Sequence, residues 1–303
     1  MKQSWWSRIR KLETSALKKT DFYPALPQRF DQLCLGTKSR NLGDALVLTP
    51  LFLKLKEKYP HINLSGFIRA FNPVVLQEFP FPIPIERGPQ SLFGDDLNSG
   101  SGHLIEQKLQ AFHLPYAERE IRPVIFLSEG EKARADDQLR KIFPQKDPLS
   151  PLWIIHPWGK TWKNLVAIEV WESWISLIPE NHRVLQVGLP GEERVQGASF
   201  YEIDPRTFDS ARELFAILQR AHAFLGIDSG PMHVASAFQV PACILVKTSF
   251  EGVLKEAMHM RKEAPYFDPR VRPFANLYVD QHQVEVISSS FRVSVCEWIE
   301  ERR

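Results

Sequence analysis

Ala221-His-Ala-Phe-Leu-Gly-Ile-Asp-Ser-Gly-Pro-Met-His-Val-Ala-Ser-Ala-Phe-Gln-Val-Pro-Ala-Cys-Ile-Leu-Val246 decides the fold. An apolar run, Ala223 to Ile227, ends in Asp228-Ser229-Gly230-Pro231. A helix-like stretch with Met232, Ala235, Ala237 and Phe238 follows, and then a second apolar run from Ala242 to Val246. Strand, tight turn, helix, strand is the unit of a parallel sheet, and ligands bind beyond the carboxyl end of its first strand. Pro231 suits a first helical position, and Asp228 or Ser229 can cap it. The N–H groups of that helix start, with the positive end of its dipole, suit a diphosphate, and His233 in the first turn can add a donor. A capped helix in an ordinary α/β core is the plainer reading of the same residues.

Outward from this unit the alternation repeats. Gln32-Leu-Cys-Leu-Gly36 is a short apolar strand, followed by a loop and a helix from about Asp44 to Tyr59 that Pro60 ends. Ile62 to Ile68 reads as the next strand. His103 to Phe112 and Glu129 to Phe143 read as helices, with a short strand at Val124 to Leu127. Pro144-Gln-Lys-Asp-Pro-Leu-Ser-Pro151 has the composition of a domain boundary. The pattern then restarts with strand Leu152 to His156, helix Ile168 to Leu177, strand Arg183 to Val187 and helix Ala211 to Gln219. Val284 to Arg303 closes the chain as a helix. The expected division is a basic extension over 1–30, an α/β domain over 31–147, a second over 148–285, and a last helix over 286–303 crossing back to the first domain.

The 303 residues carry a formal net charge of +2, which makes no case for a nucleic-acid partner. Cys34, Cys243 and Cys296 lack metal-ligand spacing and read as reduced thiols of a cytoplasmic protein. No apolar run reaches membrane-spanning length. Residues 1–20 set Lys2, Arg8, Arg10, Lys11, Lys18 and Lys19 against Glu13, with Trp5, Ile9 and Leu12 at helical spacing. That pattern fits either a helix on an anionic membrane surface or one packed on its own domain.

Three further segments sit where strands should end. In Gly36-Thr-Lys-Ser-Arg-Asn-Leu-Gly43-Asp44 the glycines admit a ligand to the backbone, and Asp44 can act as a general base or cap its helix. The loop is neither a P-loop nor a dinucleotide fingerprint. In His156-Pro-Trp-Gly-Lys160-Thr-Trp-Lys163 either lysine can neutralise a phosphate or lie solvated. In Gly188-Leu-Pro-Gly-Glu192-Glu193 a carboxylate can accept bonds from ribose hydroxyls or lie in solvent. There is no Asp-x-Asp, no glycine two residues before Ser229 and no zinc spacing. These absences count against a metal-dependent sugar transferase, a serine hydrolase and a zinc enzyme.

Together and in this order the segments resemble glycosyltransferase family 9, the ADP-heptose:lipopolysaccharide heptosyltransferases. Arg40-Asn-Leu-Gly-Asp-Ala-Leu-Val-Leu-Thr-Pro50 through Tyr59-Pro60 is similar to the family's Gly-Asp…Thr-Pro opening. Asp228-Ser-Gly-Pro-Met-His233 is similar to its Asp-Ser/Thr-Gly-x-x-His signature. The resemblance covers about residues 32–246. It implies a GT-B fold, with two Rossmann-like domains facing a central cleft, and inverting transfer without metal or other cofactor. The implied partners are a nucleotide-sugar donor, foremost ADP-heptose, and a lipopolysaccharide or other envelope glycan acceptor at the cytoplasmic face of the inner membrane. Carried over by position, Asp44 beside Gly43 is the base, Lys163 stabilises the departing diphosphate with Lys160 as second candidate, and Glu192 contacts the nucleoside. Asp228, Ser229, Gly230 and His233 hold the diphosphate. Lys163-Asn-Leu-Val166 departs from the family's Lys-x-Trp-Pro, and Val246-Lys-Thr-Ser-Phe250 replaces a Phe-Gly turn. A non-catalytic nucleotide-sugar-binding protein and a GT-B-like nucleotide-sugar epimerase are the alternatives.

Overall fold

The computed structural model describes residues 31–37, 42–68, 72–84, 91–93, 97, 104–117, 120–159, 166–204, 207–227, 229–248, 275–280 and 295–302. The basic extension over 1–30 and its membrane-surface reading lie outside them, as does most of 249–294. The chain divides into two compact units, one up to Phe126 and one from Leu127.

The first unit is built on three parallel strands, β1 (Gln32–Thr37), β2 (Asn63–Ile68) and β3 (Ser91–Phe93), in the order β2-β1-β3. Leu33 and Leu35 of β1 are buried. The helix expected from Asp44 to Tyr59 is two helices, α1 (Leu42–Leu46) and α2 (Thr49–Lys58), broken by a turn at Val47–Leu48. Pro50 is the physical reason. It has no N–H to donate to the carbonyl four residues back, and its ring obstructs a continuous ladder. The Thr49 hydroxyl satisfies that carbonyl instead, donating to Leu46 O at 2.7 Å, and accepts the Val124 N–H at 2.8 Å. Leu46, Leu51, Phe52 and Leu55 then face the core of the unit. Helices α3 (Asn72–Leu76) and α4 (Leu104–Ala111) complete it. Val124 to Leu127, expected as a strand, joins no ladder.

The second unit carries six parallel strands: β4 (Leu152–His156), β5 (Arg183–Gly188), β6 (Ser199–Glu202), β7 (Ala223–Ile227), β8 (Ala242–Thr248) and β9 (Ala275–Asp280). Their order is β6-β5-β4-β7-β8-β9. The chain therefore winds outward one way from β4 to β6 and returns to wind the other way from β7, which puts the topological switch point between β4 and β7. Residues Leu152 to Ile155 of β4 and all of β7 are almost wholly buried, as strands covered on both faces must be. Helices α6 (Ile168–Ile175), α7 (Phe208–Gln219) and α8 (Gly230–Ala237) are the crossovers between β4 and β5, β6 and β7, and β7 and β8.

Helix α5 (Glu129–Ile142) begins at a capping box in which the Ser128 hydroxyl accepts the Glu131 N–H and the Glu131 carboxylate accepts the Ser128 N–H. It belongs to the second unit, not the first. Arg212 of α7 donates through Nε and Nη2 to the Glu131 carboxylate, at 2.5 and 2.9 Å. Arg220 grips Asp136 in the same way at 2.7 and 2.9 Å. The boundary therefore falls at Phe126–Leu127, and the proline-rich 144–151 stretch is the connection from α5 to β4 within one unit. Residues 295–300 form the last described helix, α9. Val295, Trp298 and Ile299 sit in the same core as Trp153, Trp171 and Trp174. The apolar side that was expected to cross to the first unit is spent on the second.

Candidate functional site

The carboxyl ends of β4, β5 and β7 meet at one edge of the second sheet, on either side of the switch point. β7 delivers the chain to the start of α8. Ser229 there is fully extended, with φ −167° and ψ 171°, and its hydroxyl donates back to Ile227 O at 3.0 Å. The Ser229 side chain does not cap the helix, and the first-turn N–H groups of such a helix start have no partner within the helix itself. Pro231 fixes the first turn and has no N–H to orphan. His233 is buried in that turn, its backbone N–H bonded to Ser229 O at 3.4 Å. Val234, Ala235 and Ser236 are fully buried, and these small residues let the helix start lie close on the sheet.

β4 ends at His156, paired with Gly226 of β7. The ring is buried, and Nδ1 lies 2.9 Å from Val187 O of β5. A carbonyl can only accept, so Nδ1 carries the proton and Nε2 a lone pair. Burial drives the imidazole pKa down to about 4, against the opposing bond to Val187. At neutral pH His156 is therefore an uncharged acceptor at the switch point. The chain then turns against β7, and a Cβ on Gly159 would come within 2.8 Å of Ile227 Cδ1.

The loop after β5 is stitched to this turn. Trp158 Nε1 donates to Glu193 O at 2.8 Å, Gln186 Nε2 donates to the same carbonyl at 2.8 Å, and Gln186 Oε1 accepts the Val195 N–H at 2.7 Å. Two bonds thus hold the Glu193 carbonyl, and the carboxylate of the neighbouring Glu192 lies against Gly188, where a Cβ would displace it. Sequence reasoning passed over His156, Trp158 and Gln186. The His-Pro after an apolar strand was a visible signal, whereas a strand glutamine reaching a loop nine residues on leaves none.

Of the residues expected at the site, Glu192, Ser229, Gly230 and His233 lie at this one edge. Asp228, Lys160 and Lys163 lie outside the described residues. Gly43 and Asp44 belong to the first unit, in the first turn of α1 beyond β1; Gly43 is buried and Asp44 half-buried. Among the described residues no three His, Cys, Asp or Glu side chains gather as a metal-binding group, and no helix is long and apolar enough to cross a membrane.

Compared with known proteins, residues 194–248 match glycosyltransferase family 9 (heptosyltransferase). This segment runs from the loop after β5 through β6, α7, β7 and α8 to the end of β8. No curated protein matches the chain by sequence. Solved structures do match its fold. One is a family 9 glycosyl transferase from Veillonella parvula, 12% identical with a TM-score of 0.59, covering 90% of this chain and 96% of that one. The ADP-heptose lipopolysaccharide heptosyltransferase II of E. coli is 14% identical with a TM-score of 0.52, covering 89% and 99%. The E. coli heptosyltransferase WaaC, solved with ADP, is 12% identical with a TM-score of 0.59, covering 90% and 100%. The resemblance read from the motifs is thus met on both counts: residues 194–248 carry the glycosyltransferase family 9 pattern, and the chain around them has the GT-B fold of heptosyltransferases.

Proposed function

We propose that the chain is an inverting glycosyltransferase that moves a sugar, foremost heptose from ADP-heptose, to a lipopolysaccharide or other envelope glycan acceptor. The observation that carries this reading is the start of α8 at the switch point, where the Ser229 hydroxyl turns back to Ile227 O instead of capping the helix, inside the matched segment. A helix start of this kind, at the carboxyl edge of a parallel sheet, is a place for a diphosphate. Ser229, Gly230 and His233 hold the diphosphate together with Asp228, and Glu192 takes the ribose hydroxyls. Asp44 accepts the proton of the acceptor hydroxyl. That oxygen attacks the anomeric carbon opposite the diphosphate, the carbon–oxygen bond to the diphosphate breaks, and configuration inverts. The charge left on the diphosphate is met by the α8 dipole and by Lys163, with Lys160 as second candidate, so the step is assigned no metal. The acceptor class places the enzyme in the cytoplasm, at the inner face of the inner membrane, where the basic 1–30 segment would contact anionic lipid.

The test is thermal stabilisation by ADP-, GDP-, UDP- and dTDP-sugars, followed by transfer assays. One nucleotide class should stabilise the protein, since a ligand of the native state must, and Asp228→Ala should abolish the effect. Asp44→Asn should keep that stabilisation while transfer falls by a factor on the order of a hundred or more, the usual contribution of a general base. Stabilisation without transfer to any envelope glycan would instead mark a nucleotide-sugar-binding protein, and stabilisation by none of the four classes would refute the reading.

A further inference from the structure

The opposite edge of the second sheet holds a cavity of about 570 Å³, lined at its floor by Leu152 and Arg183, the first residues of β4 and β5, and by His222 just before β7. It lies at the amino ends of the strands whose carboxyl ends form the candidate donor site. Its outer wall is the Pro148–Pro151 stretch, which resembles an interdomain linker in sequence but runs from α5 into β4.

Arg183 is 8% exposed. Its Nε and Nη2 both donate to Ser150 O, at 3.0 and 2.7 Å, and among the described residues no carboxylate pairs with it. Asp136 and Asp147 act on it only from a distance. Asp136 is the one carboxylate on the cavity wall, and both its oxygens are already bonded to Arg220. Arg140, on the same wall, is paired with Asp137. Arg220 and Arg140 are thus each held by a carboxylate, and Arg183 is the guanidinium on this wall that, among the described residues, is bonded to none. A carbonyl satisfies the hydrogen bonds of a buried cation but not its charge, and arginine recognises oxyanions with paired N–H donors. Leu139, Pro148 and Leu149 add an apolar side to the same cavity, and Leu149 is 90% exposed at its rim.

We infer that this cavity is a second anion site, separate from the donor site, which takes a phosphate group through Arg183 and Arg220 and has room for a small organic body against the Leu139–Leu149 wall. The inference rests on the fold of the second unit and not on the transfer reaction.

The test follows the arginine Nε–Hε resonances of the full-length protein while inorganic phosphate, and separately glucose 6-phosphate, is added at constant ionic strength. Arg183→Lys identifies the Arg183 signal by its loss. That signal should shift saturably, and Arg220→Gln should raise the half-saturating concentration about tenfold, as expected on losing a charge-assisted bond. If Arg220→Gln does not fold, Arg140→Gln, altered at an exposed position, should raise it a few-fold. Tighter binding of the ester shows that the apolar wall is used, and equal binding shows that phosphate alone is the ligand; either supports the site. An unmoved Arg183 signal overturns it. So does a linear drift that added chloride reproduces, or saturation that neither variant weakens. Phosphate held at the start of α8 would leave the Arg183 signal still.

Discussion

His156 carries a titration that the folded chain suppresses. Its ring is 6% exposed and its pKa is pushed down to about 4 by burial, against an ordinary 6.5. The unfolded chain therefore binds the proton more readily between those values. Stability rises with pH wherever the unfolded state holds more protons, so this residue's contribution is intact above about pH 6.5 and is lost as pH falls toward 4. A depression of that size corresponds to about 3 kcal/mol. Urea unfolding of wild type and His156→Leu between pH 7 and 4 should show a steeper loss in wild type. The ring resonances should stay those of a neutral imidazole down to about pH 5. Much of the candidate site was legible at this scale, because Asp228-Ser-Gly-Pro-Met-His233 joins a strand end to a helix start within six residues. His156 was legible as a residue but not as a neutral acceptor. That property comes from Val187, 31 residues away on a neighbouring strand.

Among the elements, α5 shows what local sequence can and cannot establish. Its start is written in Ser128 and Glu131, a capping box four residues long, and the expected helix matches the observed one at that end. Its allegiance is written in Arg212 and Arg220, 81 and 84 residues from the carboxylates they hold. No local pattern reports such a separation, so three prolines in eight residues looked like a boundary. The missed strands are short or lie at sheet edges: β6 is a four-residue edge strand with a single buried side chain, and neither β3 nor β9 stands out as an apolar run. The Glu131–Arg212 pair is nearly inaccessible, at 3% and 1% exposure. Removing one partner of such a pair strands a buried charge, so Arg212→Leu should cost about 3–5 kcal/mol in denaturant unfolding. Burial alone would raise the Glu131 pKa, but the bonds from Arg212 and Ser128 and the guanidinium charge bring it to about 2. A depressed carboxylate contributes stability above its unfolded value, so wild type should lose this increment as pH falls from about 4.5 toward 2. Arg212→Leu should lack that acid-dependent step.

At the scale of the molecule, alternating strands and helices were enough to foresee two α/β units with parallel sheets, but not the strand order or the place of the last helix. An amphipathic terminal helix shows that it will bury a face, while the partner of that face depends on which surface is left uncovered. Here the uncovered surface belongs to the second unit. Trp298, 3% exposed, meets the fully buried Trp153 edge-on with ring centroids 5.7 Å apart, and Arg302 lies over the Trp298 ring at 4.3 Å. Trp153 belongs to β4, the strand that begins beside the Arg183 cavity and ends at His156, so this contact holds the central strand of the sheet. Trp298→Ala should therefore destabilise the second unit by about 3–5 kcal/mol, the usual cost of truncating a buried aromatic. Tryptophan emission should shift to the red as water reaches Trp153. Nucleotide-sugar binding should weaken along with stability, because the β4 and β7 ends that make the candidate donor site are positioned by the same core. If Trp298→Ala lowered stability while emission and binding stayed those of wild type, α9 would not be supporting β4, and the link from the terminal helix to the site would be broken.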